Sequence, residues 1–267
     1  MNYSNYYPSS GLLHVSIPTL MGTRMDVLLF GNDKQQLECE WSNAELELRK
    51  LERMLNRFDS HSEVANVNKN AQFSEVRLSD ELWHILQDCR RYHEGTGGYF
   101  DVTWQDFDKI EFMEESHNIR FHKYGMSLDF GAYAKGYALK KVRTRLVSSG
   151  IQRALVNFGN SSVLALGTHP HGNSWPVGIE DAANGSVLST IRLCDTSLSV
   201  SGNTPSHQSH IMNPKTSEFI DGDRMVAIVA DDPADADVLT TAWIASGSET
   251  HPDWMLKFNL NNTYKIK

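Results

Sequence analysis

Ser127-Leu-Asp-Phe-Gly-Ala-Tyr-Ala-Lys-Gly-Tyr-Ala138 is the stretch on which the reading of this chain turns. Leu128 and Phe130 alternate around Asp129 as in a strand, and a helix is expected from about residue 133 to 148. Gly131 and Gly136 permit close backbone approach. Lys135 falls in the first helical turn, where free amides and the helix dipole favour an anion. This is the composition of a phosphate cradle without the Walker or dinucleotide spacing. A tight packing turn with a surface lysine has the same residues, and the segment alone does not choose between them.

Upstream, residues 19–30 (TLMGTRMDVLLF) read as a strand interrupted by Gly22 and closed by Gly31-Asn32-Asp33. Leu37, Trp41, Ala44, Leu48, Leu51 and Leu55 recur at three- and four-residue steps, which predicts an amphipathic helix over 35–55 with a solvated charged face. Asn56 to Asn70 read as a polar loop. A second helix begins near Ser79, with Leu82, Ile85, Leu86 and Cys89 on one side and Gly95 as its stop. Residues 96–103 (TGGYFDVT) read as loop, then strand.

Downstream come short β-like runs, ALVNFG, SVLALG, WPVGIED, VLSTIRL and MVAIVA, parted by Gly, Asn, Asp and Pro. A helix at about 235–246, a short one near 252–260 and a strand at 264–266 complete the expectation. The fold class is α+β: helices packed on a mixed, largely antiparallel sheet, as one body or two interlocked lobes. The domain is expected to span 18–267, after an N-terminal extension of residues 1–17.

The 267 residues, 40% of them hydrophobic, suffice for a large core. A net charge of -8 without a dense basic window argues against nucleic acid or an anionic membrane as partner. Cys39, Cys89 and Cys194 are too far apart in sequence to suggest a metal-ligand pair and read as reduced thiols. The start lacks the features of a secretory leader and no run reaches membrane-spanning length, so a cytoplasmic location is expected.

In the helix at 235–247 (DADVLTTAWIASG), Asp237 and Thr241 lie four residues apart and so on one face. Carboxylate and hydroxyl are hard donors of the kind Mg²⁺ takes. The bland reading is an acidic residue stabilised by the helix dipole and a threonine bonded to its own helix.

The order of the segments decides more than any one of them. MGT (21–23), SEVANVN (62–68), GGYFDVT (97–103), LDFGAYAKGYA (128–138), VNFGNSSVLALG (156–167), WPVGIED (175–181), HIMNP (210–214) and ADVLTTAWIASG (236–247) together resemble the ApbE family of FAD:protein FMN transferases. The resemblance implies a Mg²⁺-dependent enzyme that binds FAD and transfers FMN to a serine or threonine hydroxyl of an acceptor flavoprotein, with AMP leaving. A FAD pyrophosphatase releasing FMN and AMP, and a non-catalytic FAD-binding module, are the alternatives. By position, the resemblance makes Asp237, Thr241 and the Ala132 carbonyl the metal ligands, with Thr240 beside them. It makes Met21, Phe58, Tyr99, Phe100, Asp101, Asp129, Lys135 and His210 the FAD pocket, with Lys135 and His210 catalytic. A neutral imidazole at His210 suits a general base for a hydroxyl nucleophile.

Four departures from the family pattern stand out. Asn160 replaces the second glycine of a pair, Asn213 replaces an aspartate, and Ser217 replaces a glycine. The segment from Asp101 to Asp129 is short.

Overall fold

The computed structural model of the protein describes residues 3–181, 184–202 and 211–267. In chain order its elements are β1 (Tyr3–Tyr7), β2 (Leu12–Leu20), β3 (Thr23–Phe30), α1 (Lys34–Leu55), α2 (Glu63–Asn70), β4 (Val76–Arg77) and α3 (Asp80–Gly95). Then come β5 (Ile110–Met113), β6 (Asn118–Phe121), α4 (Ala134–Ser148), β7 (Arg153–Phe158), β8 (Ser162–Leu166), β9 (Trp175–Glu180) and β10 (Val187–Leu193). The chain closes with β11 (Ser197–Gly202), β12 (Met212–Asn213), β13 (Glu218–Phe219), β14 (Met225–Ala230), α5 (Pro233–Ala245) and β15 (Leu260–Lys265).

Eight strands form the main sheet in the order β1-β2-β3-β7-β8-β11-β14-β15, and every pairing in it is antiparallel. Strand alternation gives this sheet two buried faces. Leu164 and Leu166 of β8, with Val226, Ile228 and Ala230 of β14, join the core beneath the helices, whereas Val163, Ala165, Met225, Ala227 and Val229 face a second core capped by Trp175, Ile179, Ile191 and Leu193 of the β9–β10 hairpin. Burial on both sides explains why SVLAL and MVAIVA are continuous apolar runs. α5 is apolar nearly all round and lies in the middle, packed on β11, β14 and α4.

The helices begin where capping chemistry places them. Asp33 accepts from the Gln36 N–H at 3.0 Å to start α1, and Ser79 accepts from the Leu82 N–H at 3.3 Å to start α3. All six apolar positions expected on α1 are buried.

Several expectations are corrected. Residues 3–17 carry β1 and most of β2, which lie in the main sheet, and β2 pairs with β3 along its length. Gly22 does not interrupt a strand. Met21 (φ 48°) and Gly22 (φ 78°) are the two left-handed residues of a hairpin turn, with Leu20 paired to Thr23. The loop expected over 56–70 contains α2, whose cap Ser62 accepts from the Ala65 N–H. Neither 96–103 nor 126–130 enters a ladder. The run to Phe130 is extended instead against the preceding loop, through the Asp129 N–H donating to the Val102 carbonyl at 2.7 Å.

Candidate active site

The N-terminus of α4, the middle of α5 and strands β8 and β11 converge on one carboxylate. Asp237 is 3% exposed. Its Oδ1 accepts from the hydroxyls of Ser162 at 2.8 Å and Ser199 at 2.9 Å, and its Oδ2 from the backbone N–H of Gly136 at 3.0 Å. The Lys135 ammonium lies 3.2 Å from both oxygens. The two serines are direct cross-strand partners on β8 and β11, so their side chains project side by side on the face beneath α5.

Glycine at 136 is a steric requirement. A Cβ there would stand 2.7 Å from Asp237 Cβ, 2.8 Å from the Pro233 carbonyl oxygen and 2.9 Å from Ala234 Cα. The close approach of α4 to α5 lets the Gly136 N–H reach the carboxylate, in place of the carbonyl of Ala132 four residues earlier that a continued helix would supply. The Ala132 carbonyl is thereby left to other partners.

Beside this cluster opens a cleft of about 1100 Å³. Asp129, Ala132 and Lys135 line it from the start of α4, Thr241 and Ala245 from the next two turns of the Asp237 face of α5, and Tyr99, Phe100 and Asp101 from the loop after α3. It runs under the β9–β10 hairpin, where Val163, Val177, Ile179, Leu198 and Val200 make an apolar end. A volume of this size accommodates a ligand larger than most drug-sized molecules.

The structure brings together Asp237, Thr241, Ala132, Lys135, Asp129, Tyr99 and Phe100. Thr241 donates to the Asp237 carbonyl at 3.3 Å and lies 3.4 Å from the Ser201 hydroxyl, while Thr240 is wholly buried and accepts from Ser201 at 2.9 Å. Asp129 accepts from the Gly131 N–H at 2.9 Å and pairs with Arg57 at 3.3 Å.

Two expected pocket residues do not line the cleft, and a third borders it with its carboxylate turned away. Met21 sits in the β2–β3 turn, its N–H donating to Glu52 Oε1 at 2.6 Å. Phe58 is 84% exposed and lies against Arg57. The backbone region of Asp101 borders the cleft, but its carboxylate turns inward, accepting from the Thr103 N–H and hydroxyl, both at 2.6 Å, and from the Phe107 N–H. Burial pushes this carboxyl above its ordinary range, against the lowering pull of the Thr103 bonds. His210 lies outside the described residues.

The departures from the family pattern are accommodated locally. Gly159 (φ 68°) and Asn160 (φ 55°) both adopt the left-handed conformation that asparagine tolerates. Asn157 holds Asn160 by bonds at 2.9 and 3.2 Å. Asn213 Oδ1 accepts from the Lys215 N–H at 2.9 Å, a bond that does not require a charge. Ser217 takes a left-handed φ of 59° and donates to the Gln105 side-chain oxygen. The short segment after Asp101 carries β5 and β6, which with β4 form a three-stranded sheet.

Sequence reasoning missed Ser162, Ser199 and Ser201. The signal was the alternation Ser197-Leu-Ser-Val-Ser201, which places three hydroxyls on one face of a strand.

As a place for Mg²⁺, Asp237, Thr241 and Ala132 would offer a carboxylate, a hydroxyl and a carbonyl, all hard oxygen donors, once the Lys135 ammonium left the carboxylate. This fits a cation that keeps several waters and shares its remaining positions with phosphate. Among the described residues no group of three or more His, Cys, Asp or Glu gathers to hold a metal, and no helix is long and apolar enough to cross a membrane.

Comparison with known proteins follows the same lines. The ApbE family model matches residues 21–110 and 104–263. A FAD:protein FMN transferase of Rhodobacter capsulatus is 32% identical over 142 residues, which is 50% of this chain and 27% of that protein. One from Chlamydia muridarum is 22% identical across 79% of this chain and 77% of its own length. The chain thus spans about a quarter of the first relative and about three quarters of the second. An ApbE protein of Thermotoga maritima superposes with a TM-score of 0.80 at 20% identity, covering 92% of this chain and 89% of that one. A flavinyl transferase ApbE of Pseudomonas stutzeri gives 0.76 at 21%, covering 96% and 87%. The structural matches establish the likeness of fold.

Proposed function

The chain belongs to the ApbE family, and from that premise we propose that it transfers FMN from FAD to a serine or threonine hydroxyl of an acceptor protein, releasing AMP. The observation that carries this reading is the gathering of Ala132, Lys135 and Thr241 on the wall of a cleft of about 1100 Å³, with Asp237 buried directly behind the Lys135 ammonium. One carboxylate with a lysine at a helix N-terminus suits a diphosphate, and the apolar end under the β9–β10 hairpin suits flat rings.

In the proposed reaction the acceptor oxygen attacks the FMN phosphorus, a new P–O bond forms, and the bridging P–O bond breaks. AMP departs with the bridging oxygen, and the hydroxyl proton passes to His210, assigned from its sequence position. Asp237, the Ala132 carbonyl and Thr241 would hold Mg²⁺, which would supply neutralisation of charge on the diphosphate. The Lys135 ammonium and the dipole of α4 add positive potential on the same side. Tyr99 and Phe100 border the path to the apolar end. Ser162, Ser199 and the Gly136 N–H hold the carboxylate in one orientation.

The test is co-expression with a protein bearing a serine- or threonine-containing flavinylation motif, followed by in-gel flavin fluorescence under denaturing conditions and assay of AMP. A Mg²⁺-dependent fluorescent band with equivalent AMP supports transfer. Free FMN without a band assigns water as the acceptor instead. Asp237→Ala is expected to abolish Mg²⁺-dependent turnover, and a wild-type rate from it would reject the metal assignment. His210→Ala is expected to slow turnover at unchanged FAD affinity; loss of FAD binding alone would make His210 a binding residue.

A further inference from the structure

Lys135 stands where the proposed cation would bind. Its ammonium is equidistant, 3.2 Å, from the two oxygens of Asp237, and both side chains are largely withdrawn from water, the carboxylate 4% and the lysine 22% exposed. Mg²⁺ binds oxygen at about 2.0–2.1 Å and orders an octahedron around itself. A carboxylate that faces an ammonium with both oxygens, and neutral donors on its other sides, has no free approach for a divalent ion.

We propose that Lys135 and the divalent cation exchange on Asp237. Without metal the ammonium neutralises the carboxylate; with metal, Lys135 yields the carboxylate and turns into the cleft, where its charge meets the diphosphate of the dinucleotide. The proposal rests on the flavin-transfer reading for the identity of the ligands, and adds that metal loading arms the lysine.

Three features carry it. The bonds that remain once Lys135 leaves are uncharged and anchored in secondary structure: Ser162 and Ser199 as cross-strand neighbours, and the Gly136 N–H at the start of α4. The carboxylate therefore keeps its orientation while its counter-ion changes, which makes Ser162 and Ser199 positioning residues for the exchange. Lys135 occupies the second position of α4, where the helix dipole opposes a cation, so its ammonium calls for an anionic partner in either state. Its flexible four-carbon stem lets one ammonium serve both partners. Finally, the charges balance twice: carboxylate against ammonium when empty, and metal, ammonium and carboxylate together against the two negative charges of a dinucleotide diphosphate when loaded. Metal and dinucleotide are then expected to reinforce each other's binding.

The test uses the whole wild-type chain. Acetic anhydride labelling of Lys135, read by peptide mass spectrometry, is expected to accelerate about fivefold or more on saturation with Mn²⁺ alone, the lower end of ordinary site-to-site coupling. Lys140 and Lys141 on the same helix, paired with Asp232 and Glu81, serve as internal controls and keep their rates. In a parallel Mn²⁺ titration followed by electron paramagnetic resonance, Lys135→Met is expected to bind the ion about fivefold or more tightly than wild type, since no ammonium has to be displaced. Mn²⁺ binding that leaves Lys135 labelling unchanged or slower overturns the exchange, as does a Lys135→Met affinity no higher than wild type. Absence of Mn²⁺ binding from wild type and Lys135→Met alike overturns the metal assignment itself. Wild-type Mn²⁺ affinity retained by Asp237→Asn, with Lys135 labelling unchanged, would place the ion elsewhere, so the two failures are told apart.

Discussion

Gly136→Ala separates two physical arguments that predict opposite signs. By helix propensity alone, replacing glycine by alanine within α4 stabilises by up to about 1 kcal/mol. The packing says otherwise. The added methyl would lie at 2.7 Å from Asp237 Cβ, 2.8 Å from the Pro233 carbonyl oxygen and 2.9 Å from Ala234 Cα, and none of these atoms can be moved by turning a side chain. α5 must back away, and the Gly136 N–H must release the carboxylate it now holds at 3.0 Å. Overpacking costs about 1–3 kcal/mol and a hydrogen bond to a charged acceptor about 1.5–3 kcal/mol. After the propensity gain, a net loss of about 2–4 kcal/mol remains. At this chain length that lowers the thermal midpoint by about 5–15 °C. Urea unfolding with an unchanged slope and an earlier midpoint checks it. A variant as stable as wild type, or more so, refutes the claim that α4 and α5 meet through Gly136 and with it the placing of Asp237.

Three further outcomes follow from the packing and the charges. Asp101 has its carboxyl raised by burial, so its unfavourable contribution is absent below the unfolded carboxylate range and grows as pH rises through the raised value. Asp101→Asn is expected to flatten that part of the stability-against-pH curve, and an unchanged profile removes the burial argument. Trp175, 2% exposed with its indole N–H on the Leu166 carbonyl at 3.1 Å, anchors the hairpin that roofs the cleft. Trp175→Ala is expected to cost about 3–5 kcal/mol and to weaken FAD binding together with stability. Phe58, 84% exposed, should be replaceable by alanine within about 0.5 kcal/mol of wild-type stability. If its ring closes over FAD, affinity falls severalfold at unchanged thermal midpoint; unchanged affinity excludes it from the pocket.

The parts of this fold that the sequence announced are those in which one face meets the core and the other meets water. α1 and α3 are of that kind, and their apolar spacing and caps place them within a residue or two. The strands buried on both faces, β8 and β14, were legible as apolar runs. α2 was not, because eight residues with two buried valines make too short a period. β1 and β2 begin among tyrosines and serines that read as a tail, although β2 alternates buried and half-buried positions along most of its length. β11 was illegible for a different reason. Its alternating serines look like a solvent face, yet Ser199 bonds to Asp237 and Ser201 to Thr240 beneath α5. Lys135 in the first turn of α4, and Asp237 with Thr241 on one face of α5, were visible as spacings. Their meeting across the α4–α5 contact, and the inward turn of Asp101, depend on tertiary approach that local sequence does not encode.

The composition of the α4–α5 junction speaks for chemistry over packing. A buried ion pair recovers its desolvation cost only with good geometry and further hydrogen bonds, and apolar groups of similar volume often fill such a place at no loss of stability. Here the pair lies between α4 and α5, whose buried positions include Ala134, Ala138, Ala236, Leu239 and Ala242, and it brings with it two serines that take up strand positions suited to apolar side chains. Stability alone gives no reason for that set. A carboxylate fixed from behind by neutral donors, and facing an exchangeable cation at the wall of a dinucleotide-sized cleft, gives one: the rigid half of the site lies in the sheet and α5, and the mobile charge is carried by a single lysine at the mouth of α4.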